Sequence, residues 1–292
     1  MTKALILGGA TGLLGQALAA AAVKRNWDIC TLGRQDGNIT DINFLESRLE
    51  EIDPDLIFNA VAWTAVDAAE DEPEEALALN RSFPNALACS IAKRKKGFLI
   101  HYSTDFVFTG SYGKPFKESD PPRPSSVYGQ TKLAGEETVL SILPNDSCII
   151  RTAWLFGPGR KNFISTILNA CQHKDTVSVV DDQTGSPTYT PDLAEWSMVL
   201  AEKRASGIWH GVNSGYATWC ELASEAVALA QAPCKIEPIP SEMWPQKAKR
   251  PTYSGLDNAK LTSFLGYTPR PWQKALRDYL YGYVLKREQP HE

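Results

Sequence analysis

The chain has 292 residues, of which 43% are hydrophobic and 22% are charged, and its formal net charge at pH 7 is -4. These values are typical of a soluble globular protein with one large or two closely joined domains. There is no basic face, lysine-rich amphipathic segment or run of about 18 apolar residues, which argues against nucleic acid or a membrane as a partner. The N-terminal apolar run is too short for a signal peptide, and the scattered cysteines favour free thiols in a reducing cytoplasm.

Short apolar runs alternate with helical patterns in the first half of the chain, which is typical of βαβ units around a parallel sheet. The runs predict buried strands at residues 4–7, 28–32, 56–59, 98–103 and 148–151. The helical periodicity predicts helices at residues 13–24, 43–52 and 73–95. We therefore predict an α/β fold with a Rossmann-type, doubly wound parallel sheet, in which residues 1–152 form a dinucleotide-binding domain.

The second half of the chain is less regular and richer in proline and tryptophan. We predict that residues 153–292 form mainly a smaller, interleaved C-terminal substrate-binding lobe, while residues 188–212 return to the first domain. A capping box at Thr218 predicts a helix that runs through Ala230, and a last amphipathic helix is expected from about Pro271. The cleft between the lobes is the expected place for a substrate.

A glycine-rich turn follows the first strand and opens the first helix. Gly9, Gly12 and Gly15 are spaced G-x-x-G-x-x-G, which differs from the commoner G-x-G-x-x-G pattern. Glycine permits a tight turn and lets backbone N–H groups approach a pyrophosphate, which a helix N-terminus attracts. Placed between strand and helix, the turn predicts dinucleotide binding, although a merely structural turn is the alternative.

The residues after the second predicted strand bear on the choice of cofactor. The Arg34 guanidinium could pair with the 2′-phosphate of NADPH, whereas Asp36 could instead bind the ribose of NADH. A solvated Arg34 is the structural alternative. The sequence thus favours NADPH and leaves NADH open.

Tyr128 and Lys132 are four residues apart, so a helix would place both on one face. An ammonium near a phenol is expected to lower the phenol's pKa from about 10 and make it a better proton donor at neutral pH. Thr104 follows the fourth predicted strand, where open α/β sheets present site residues, and its hydroxyl could hydrogen-bond a carbonyl oxygen. Each feature alone is common, but their order along the chain predicts a site for carbonyl reduction.

This ordered set resembles the extended short-chain dehydrogenase/reductase superfamily and, more narrowly, the dTDP-4-dehydrorhamnose reductase family. The resemblance covers nearly the whole chain, and its most specific part is the segment His101 to Phe108. The segments Asn59 to Glu70, Val127 to Glu136 and Asp182 to Thr188 are also similar to that family. It implies NADPH-dependent reduction of the 4-keto group of a nucleotide-linked 6-deoxysugar, with dTDP-L-rhamnose, a precursor of cell-surface polysaccharide, as the expected product.

The resemblance also assigns roles to individual residues. It implies Thr104, Tyr128 and Lys132 as the catalytic trio, with Tyr128 and Lys132 also touching the cofactor. It implies that the other cofactor contacts are Gly9, Thr11, Gly12, Leu13, Leu14, Gly15, Asp41, Ile42, Ala60 and Ala62, and the position after the second strand adds Arg34. The implied substrate contacts are Thr104, Asp105, Trp154 and Arg250.

Three alternatives are weighed against this interpretation. A sugar-nucleotide 4,6-dehydratase is disfavoured, because Phe106 stands where such enzymes carry a glutamate. A nucleotide-sugar epimerase uses the same groups and remains open, as does a non-catalytic subunit resembling the regulatory subunit of methionine adenosyltransferase. The sequence assigns no metal ligands and leaves a bound Mg²⁺ undetermined. A homodimer stays an open alternative, and no self-complementary patch is recognisable that would support it.

Overall fold

The computed structural model describes residues 1–110 and 113–285. A six-stranded parallel sheet lies at its centre, in the spatial order β10-β5-β4-β3-β1-β2. The strands of this sheet are β1 (Lys3–Leu7), β2 (Asp28–Leu32), β3 (Leu56–Asn59), β4 (Phe98–Thr104), β5 (Ser147–Thr152) and β10 (Gly207–His210). The predicted α/β, doubly wound fold is therefore confirmed, and the first five strands match the predicted ones to within one residue at each end.

Helices cover both faces of this sheet. They are α1 (Leu13–Lys24), α2 (Ile42–Ile52), α3 (Ala68–Asp71), α4 (Pro73–Leu77), α5 (Phe83–Arg94), α6 (Val127–Ile142) and α8 (Thr190–Glu202). A π-helical turn at Ala78–Ser82 joins α4 to α5, so the helix predicted over residues 73–95 is present with a bulge inside it.

Alternate residues along each strand pack against opposite helical layers. In β1, Ala4 and Ile6 join the apolar cluster that contains α1 and α8, whereas Leu5 and Leu7 join the cluster that contains α2 and α5. Because both faces are covered, the strands are apolar at nearly every position rather than alternating with polar residues. This explains why their sequence signal was a short continuous run.

The second lobe has its own apolar cluster. Its helices are α7 (Phe163–Cys171), α9 (Trp219–Ala230), α10 (Ala259–Leu265) and α11 (Trp272–Tyr279), although Leu261 of α10 packs on the sheet. Its short strands are β6 (Leu155–Phe156), β7 (Thr176–Val180), β8 (Thr184–Gly185), β9 (Thr188–Tyr189), β11 (Ala217–Thr218) and β12 (Lys235–Ile239). The capping box predicted at Thr218 and the helices predicted from about Thr218 and Pro271 are confirmed.

Two segments of the second half contact the first domain. Helix α8 packs against α1, and β10 pairs with β5 at one edge of the sheet. Among the described residues, no helix is long and apolar enough to cross a membrane.

Candidate active site

Strand β4 ends at Thr104, at the carboxyl edge of the sheet. The Thr104 hydroxyl donates a hydrogen bond to Oδ1 of Asp105 (3.1 Å) and accepts one from the backbone N–H of Phe106 (3.2 Å). It thereby caps a short 3₁₀ turn, Asp105–Val107, that ends the strand. Thr104 therefore has a structural role as a cap in addition to the site role that the sequence predicts.

Helix α6 begins beside this turn and carries Tyr128 and Lys132 in its first two turns. Ser126 caps the helix by accepting a hydrogen bond from the backbone N–H of Gly129. The ring of Tyr128 packs edge to face on Phe106 with centroids 5.6 Å apart, and the backbone N–H of Phe106 bonds the Thr104 hydroxyl. The structure therefore places the predicted threonine and tyrosine beside the same residue.

The pKa of Tyr128 is raised to about 12, first because the site desolvates the phenol. The Thr104 hydroxyl opposes this shift, and the negative charge of Asp105 adds to it. The expectation that Lys132 lowers this pKa is wrong for the described structure, where that ammonium is not among the causes of the shift. A phenol with this pKa is fully protonated at neutral pH, which is the state required of a proton donor.

Lys132 is only 2% exposed, and its ammonium donates a hydrogen bond to the backbone carbonyl of Tyr102 (2.6 Å). Burial lowers the pKa of Lys132 to about 8, while the carboxylate of Glu136, one helical turn further along α6, opposes that shift. Glu136 itself forms a bidentate buried ion pair with Arg151 of β5. The ammonium is therefore held at a fixed place against β4.

Asp105 is 2% exposed and its carboxylate is occupied by hydroxyl groups on both sides. Ser254 Oγ donates to Oδ2 (2.5 Å), and Thr104 donates to Oδ1. Burial raises the pKa of Asp105 to about 6, and these hydrogen bonds oppose the shift. A contact between Asp105 and the sugar stays a prediction, whereas its observed contacts orient the Thr104 hydroxyl.

Asn80 is a site residue that the sequence analysis missed. It lies in the π-helical turn, is fully buried and pairs with the backbone N–H and carbonyl of Trp63. Its amide also donates to the hydroxyl of Thr131 on α6 (3.1 Å). Asn80 therefore ties the segment after β3 to the helix that carries Tyr128. The helical pattern of residues 73–95 gave no signal for it, because a single bulge leaves the apolar periodicity almost unchanged.

A cleft of about 820 Å³ lies at the glycine-rich turn. Of the predicted cofactor residues, five line it: Thr11, Gly12, Arg34, Ala60 and Ala62. A side chain on Gly12 or Gly15 would place its Cβ 2.7 Å or 2.1 Å from the backbone oxygen of Gly8. The absence of a side chain at Gly15 therefore lets α1 pack closely against the backbone of the glycine-rich turn. Glycine has this role in other dinucleotide-binding folds.

The other predicted cofactor residues are absent from the described lining of this cleft, namely Gly9, Leu13, Leu14, Gly15, Asp41, Ile42, Tyr128 and Lys132. Asp41 caps α2 by accepting a hydrogen bond from the backbone N–H of Asn43 (2.9 Å), and Ile42 is 43% exposed. The backbone just before them, residues 37–40, lines the cleft instead. The side chain of Asp36, the alternative ribose ligand, accepts a hydrogen bond from the Gly33 N–H (2.8 Å).

A second cavity of about 570 Å³ lies in the smaller lobe, between α7, β7 and the segment after β12. Trp219, Trp244 and Arg250 line it, and Trp154 stacks on Trp219 with centroids 3.5 Å apart. Arg250 forms a bidentate ion pair with Asp67, which lowers the pKa of that carboxyl to about 2. The predicted phosphate ligand is thus already paired, and a substrate contact by Arg250 or Trp154 stays a prediction.

Within the described residues, no cluster of three or more histidine, cysteine, aspartate or glutamate side chains could hold a metal ion.

A parallel sheet, a glycine-rich turn after its first strand and a Thr–Tyr–Lys set around its fourth strand together define a protein of the extended short-chain dehydrogenase/reductase class. The model of the RmlD substrate binding domain family matches residues 2–284. The chain belongs to this family.

Characterised relatives are similar over almost their whole length. A dTDP-4-dehydrorhamnose reductase from Streptomyces griseus is 41% identical, with 92% of this chain and 90% of the relative covered. A dTDP-4-keto-6-deoxy-D-glucose reductase from Streptomyces niveus is 38% identical, with 94% and 96% covered. The crystal structure of a dTDP-4-dehydrorhamnose reductase from Bacillus anthracis in complex with NADP is 30% identical, has a TM-score of 0.91 and covers 97% of this chain and 100% of its own.

The buried ammonium of Lys132 predicts a specific pH dependence of stability. The pKa of Lys132 is about 8 in the folded protein, compared with an ordinary value of 10.5. Between these two pH values the unfolded chain therefore holds a proton on Lys132 that the folded protein has released. The free energy of unfolding should therefore rise with pH in that window, by about 3 kcal/mol relative to Lys132→Met. Urea denaturation of both proteins across the window measures this difference, and Lys24→Met on the exposed surface of α1 is the control. If the difference in unfolding free energy between the two proteins does not change with pH, the lowered pKa of Lys132 is wrong.

Proposed function

We propose that the protein is an NADPH-dependent reductase of the 4-keto group of a dTDP-linked 6-deoxysugar. The substrate that the family favours is dTDP-4-dehydro-L-rhamnose, and the product is then dTDP-L-rhamnose. The observation that carries the proposal is the position of Tyr128, in the first turn of α6 with its ring on Phe106, next to Thr104 at the end of β4. The names of the relatives above support the sugar nucleotide as the substrate class.

The residues at the glycine-rich turn fit a dinucleotide. Residues of the turn, among them Thr11 and Gly12, line the cleft, and the N-terminus of α1 favours an anion there. Arg34 lines the same cleft, while Asp36 is held by the backbone of the turn after β2. These contacts favour NADPH over NADH, in agreement with the NADP bound to the Bacillus anthracis relative. When bound, the reduced nicotinamide supplies the hydride.

The chain's own groups supply orientation and a proton. Tyr128 donates its phenolic proton to the oxygen of the keto group as that oxygen gains charge. In the structure the Thr104 hydroxyl donates its one proton to Asp105, and it hydrogen-bonds the oxygen of the keto group only by turning that proton from Asp105 to the substrate. The ammonium of Lys132 lies against β4 with hydrogen-bonding capacity beyond its bond to Tyr102, and it serves to hold a ribose hydroxyl of the cofactor.

The second cavity is suited to the nucleotide part of the substrate. Two tryptophan rings, Trp219 and Trp244, offer apolar surface to a base, and Arg250 is oriented by Asp67 at the same cavity. We propose that Trp154, stacked on Trp219, forms the wall between this cavity and the reacting sugar. The carrier dTDP is taken from the relatives' names, which include two different 4-keto sugars.

The structure gives a physical reason to disfavour dehydration. Phe106, the residue in the position of the dehydratase glutamate, packs its ring on Tyr128 and offers no acid for an elimination. An epimerase would use the same tyrosine but would retain its cofactor through each cycle.

The purified protein should oxidise NADPH in the presence of dTDP-4-dehydro-L-rhamnose. The assay compares this substrate with dTDP-4-keto-6-deoxy-D-glucose and with the UDP analogue, and NADH is tested in parallel. Turnover with none of these sugars would overturn the proposal. Stoichiometric, tightly bound NAD in the purified protein would instead support an epimerase, and co-purification with a synthetase without turnover would support a regulatory subunit.

Tyr128→Phe should lower kcat by at least about a hundredfold, because it removes the proton donor and keeps the ring that packs on Phe106. Binding of NADPH, followed by fluorescence titration, should change little. Tyr267→Phe, at an exposed tyrosine, is the matched control and should keep full activity. Full activity of Tyr128→Phe would remove this residue from the mechanism.

Arg34→Ala should raise the KM for NADPH by about tenfold and leave the KM for NADH nearly unchanged, because only NADPH carries the 2′-phosphate. Arg277→Ala removes an exposed positive charge of α11 that does not line the cleft, and it controls for net charge. Equal effects on both cofactors would count against Arg34 as the 2′-phosphate ligand.

A further inference from the structure

A loop of the smaller lobe takes part in the cleft of the first domain. Residues 157–162 connect β6 to α7, and two residues of this loop, Gly159 and Arg160, line the same cleft as the glycine-rich turn. Sequence patterns gave no reason to place them there, because about 145 residues of chain separate the loop from that turn.

The loop is fixed in place by contacts at both ends. Gly159 has a φ of +101°, and a Cβ at this position would lie 2.4 Å from Oε1 of Gln16 on α1. The side-chain amide of Asn162 donates hydrogen bonds to the carbonyls of Gly157 (2.9 Å) and Arg160 (3.3 Å) and to the hydroxyl of Tyr279 (2.9 Å). The backbone that carries Arg160 is therefore held against the first turns of α1.

The charged side chains that line the cleft are all positive. Its described lining contains two arginines, Arg34 and Arg160, and no acidic side chain. Over residues 1–110 and 113–285, neither arginine forms an ion pair, whereas Arg151 and Arg250 are each paired with a carboxylate. Two cations without a carboxylate partner in one cleft favour a ligand that carries at least two anionic groups.

The two arginines lie beside different parts of the dinucleotide fold. Arg34 follows β2, where such folds bind the adenosine ribose, whereas Arg160 lies in the loop that contacts Gln16 on α1, whose N-terminus receives the pyrophosphate. We infer that Arg160 is a cofactor-binding residue that contacts the pyrophosphate of the dinucleotide. This inference rests on the proposed NADPH-dependent function and adds a specific residue from the smaller lobe to it.

The contact has a consequence for the two lobes. Arg160 belongs to the segment that Asn162 fixes to Tyr279 of α11, within the apolar cluster of the smaller lobe. A bound dinucleotide is therefore held from both sides, by the glycine-rich turn of the first domain and by Arg160 of the second lobe. The substrate cavity of that lobe is thereby fixed relative to the cofactor.

The test is the equilibrium dissociation constant of the cofactor, measured by fluorescence titration without substrate. Arg160→Ala should raise the Kd for NADPH and for NADH by similar factors, about five- to tenfold, because both carry the pyrophosphate. Arg160→Lys should restore most of the affinity, and the loss in Arg160→Ala should shrink at high salt. Lys161→Ala, at the exposed neighbouring cation, is the matched control and should change either Kd by less than about twofold.

The outcomes separate the inference from the proposed function. If Arg160→Ala behaves like Lys161→Ala while the unaltered protein binds NADPH, the inference is wrong and the function stands. A loss confined to NADPH would assign Arg160 to the 2′-phosphate and overturn the pyrophosphate contact. If the unaltered protein binds neither dinucleotide, the proposed function is wrong, and the inference about Arg160 is wrong with it. Thermal unfolding of each variant shows whether the loop and the fold are preserved.

Discussion

The site depends on one buried positive charge. The ammonium of Lys132 is almost inaccessible to water, and a charge in that position is costly unless it is hydrogen-bonded. The carbonyl of Tyr102 accepts one bond from it, and Glu136 lies one turn away in an ion pair with Arg151. These contacts join β4, α6 and β5 into one rigid unit. Tyr128, in the first turn of α6, is consequently held next to Thr104.

A second unit keeps the cofactor cleft beside that site. Asn80, in the π-helical turn, bonds both to the segment after β3 and to Thr131 on α6. Gly135 permits this approach, since a Cβ there would lie 2.1 Å from the carbonyl oxygen of Asn80. Bulges of this kind are frequent at functional sites, because they redirect a side chain without ending the helix. Here the amide of Asn80 connects the segment after β3 with α6, the helix that carries Tyr128.

The smaller lobe contributes in a different way. Its tryptophan pair and Arg250 line one cavity, whereas its loop at Gly159 and Arg160 reaches the cofactor cleft. The ion pair between Arg250 and Asp67 is a second connection between the lobes. The lobes are thus joined around the space in which cofactor and sugar would meet. This arrangement suits hydride transfer, which requires the two molecules to be held in van der Waals contact.

Local sequence patterns indicated the α/β class, the bounds of the first five strands and of α1 and α2, and the order of turn, hydroxyl and Tyr/Lys pair along the chain. These features are local: apolar runs, helical spacing and caps are encoded by neighbouring residues. Tertiary contacts decided the raised pKa of Tyr128, the burial of Lys132, the contacts of Asn80, the position of Arg160 at the cleft, and the presence of residues 37–40 rather than Asp41 and Ile42 in its lining. Desolvation and contacts between distant segments set these properties, and no local pattern in the chain records them.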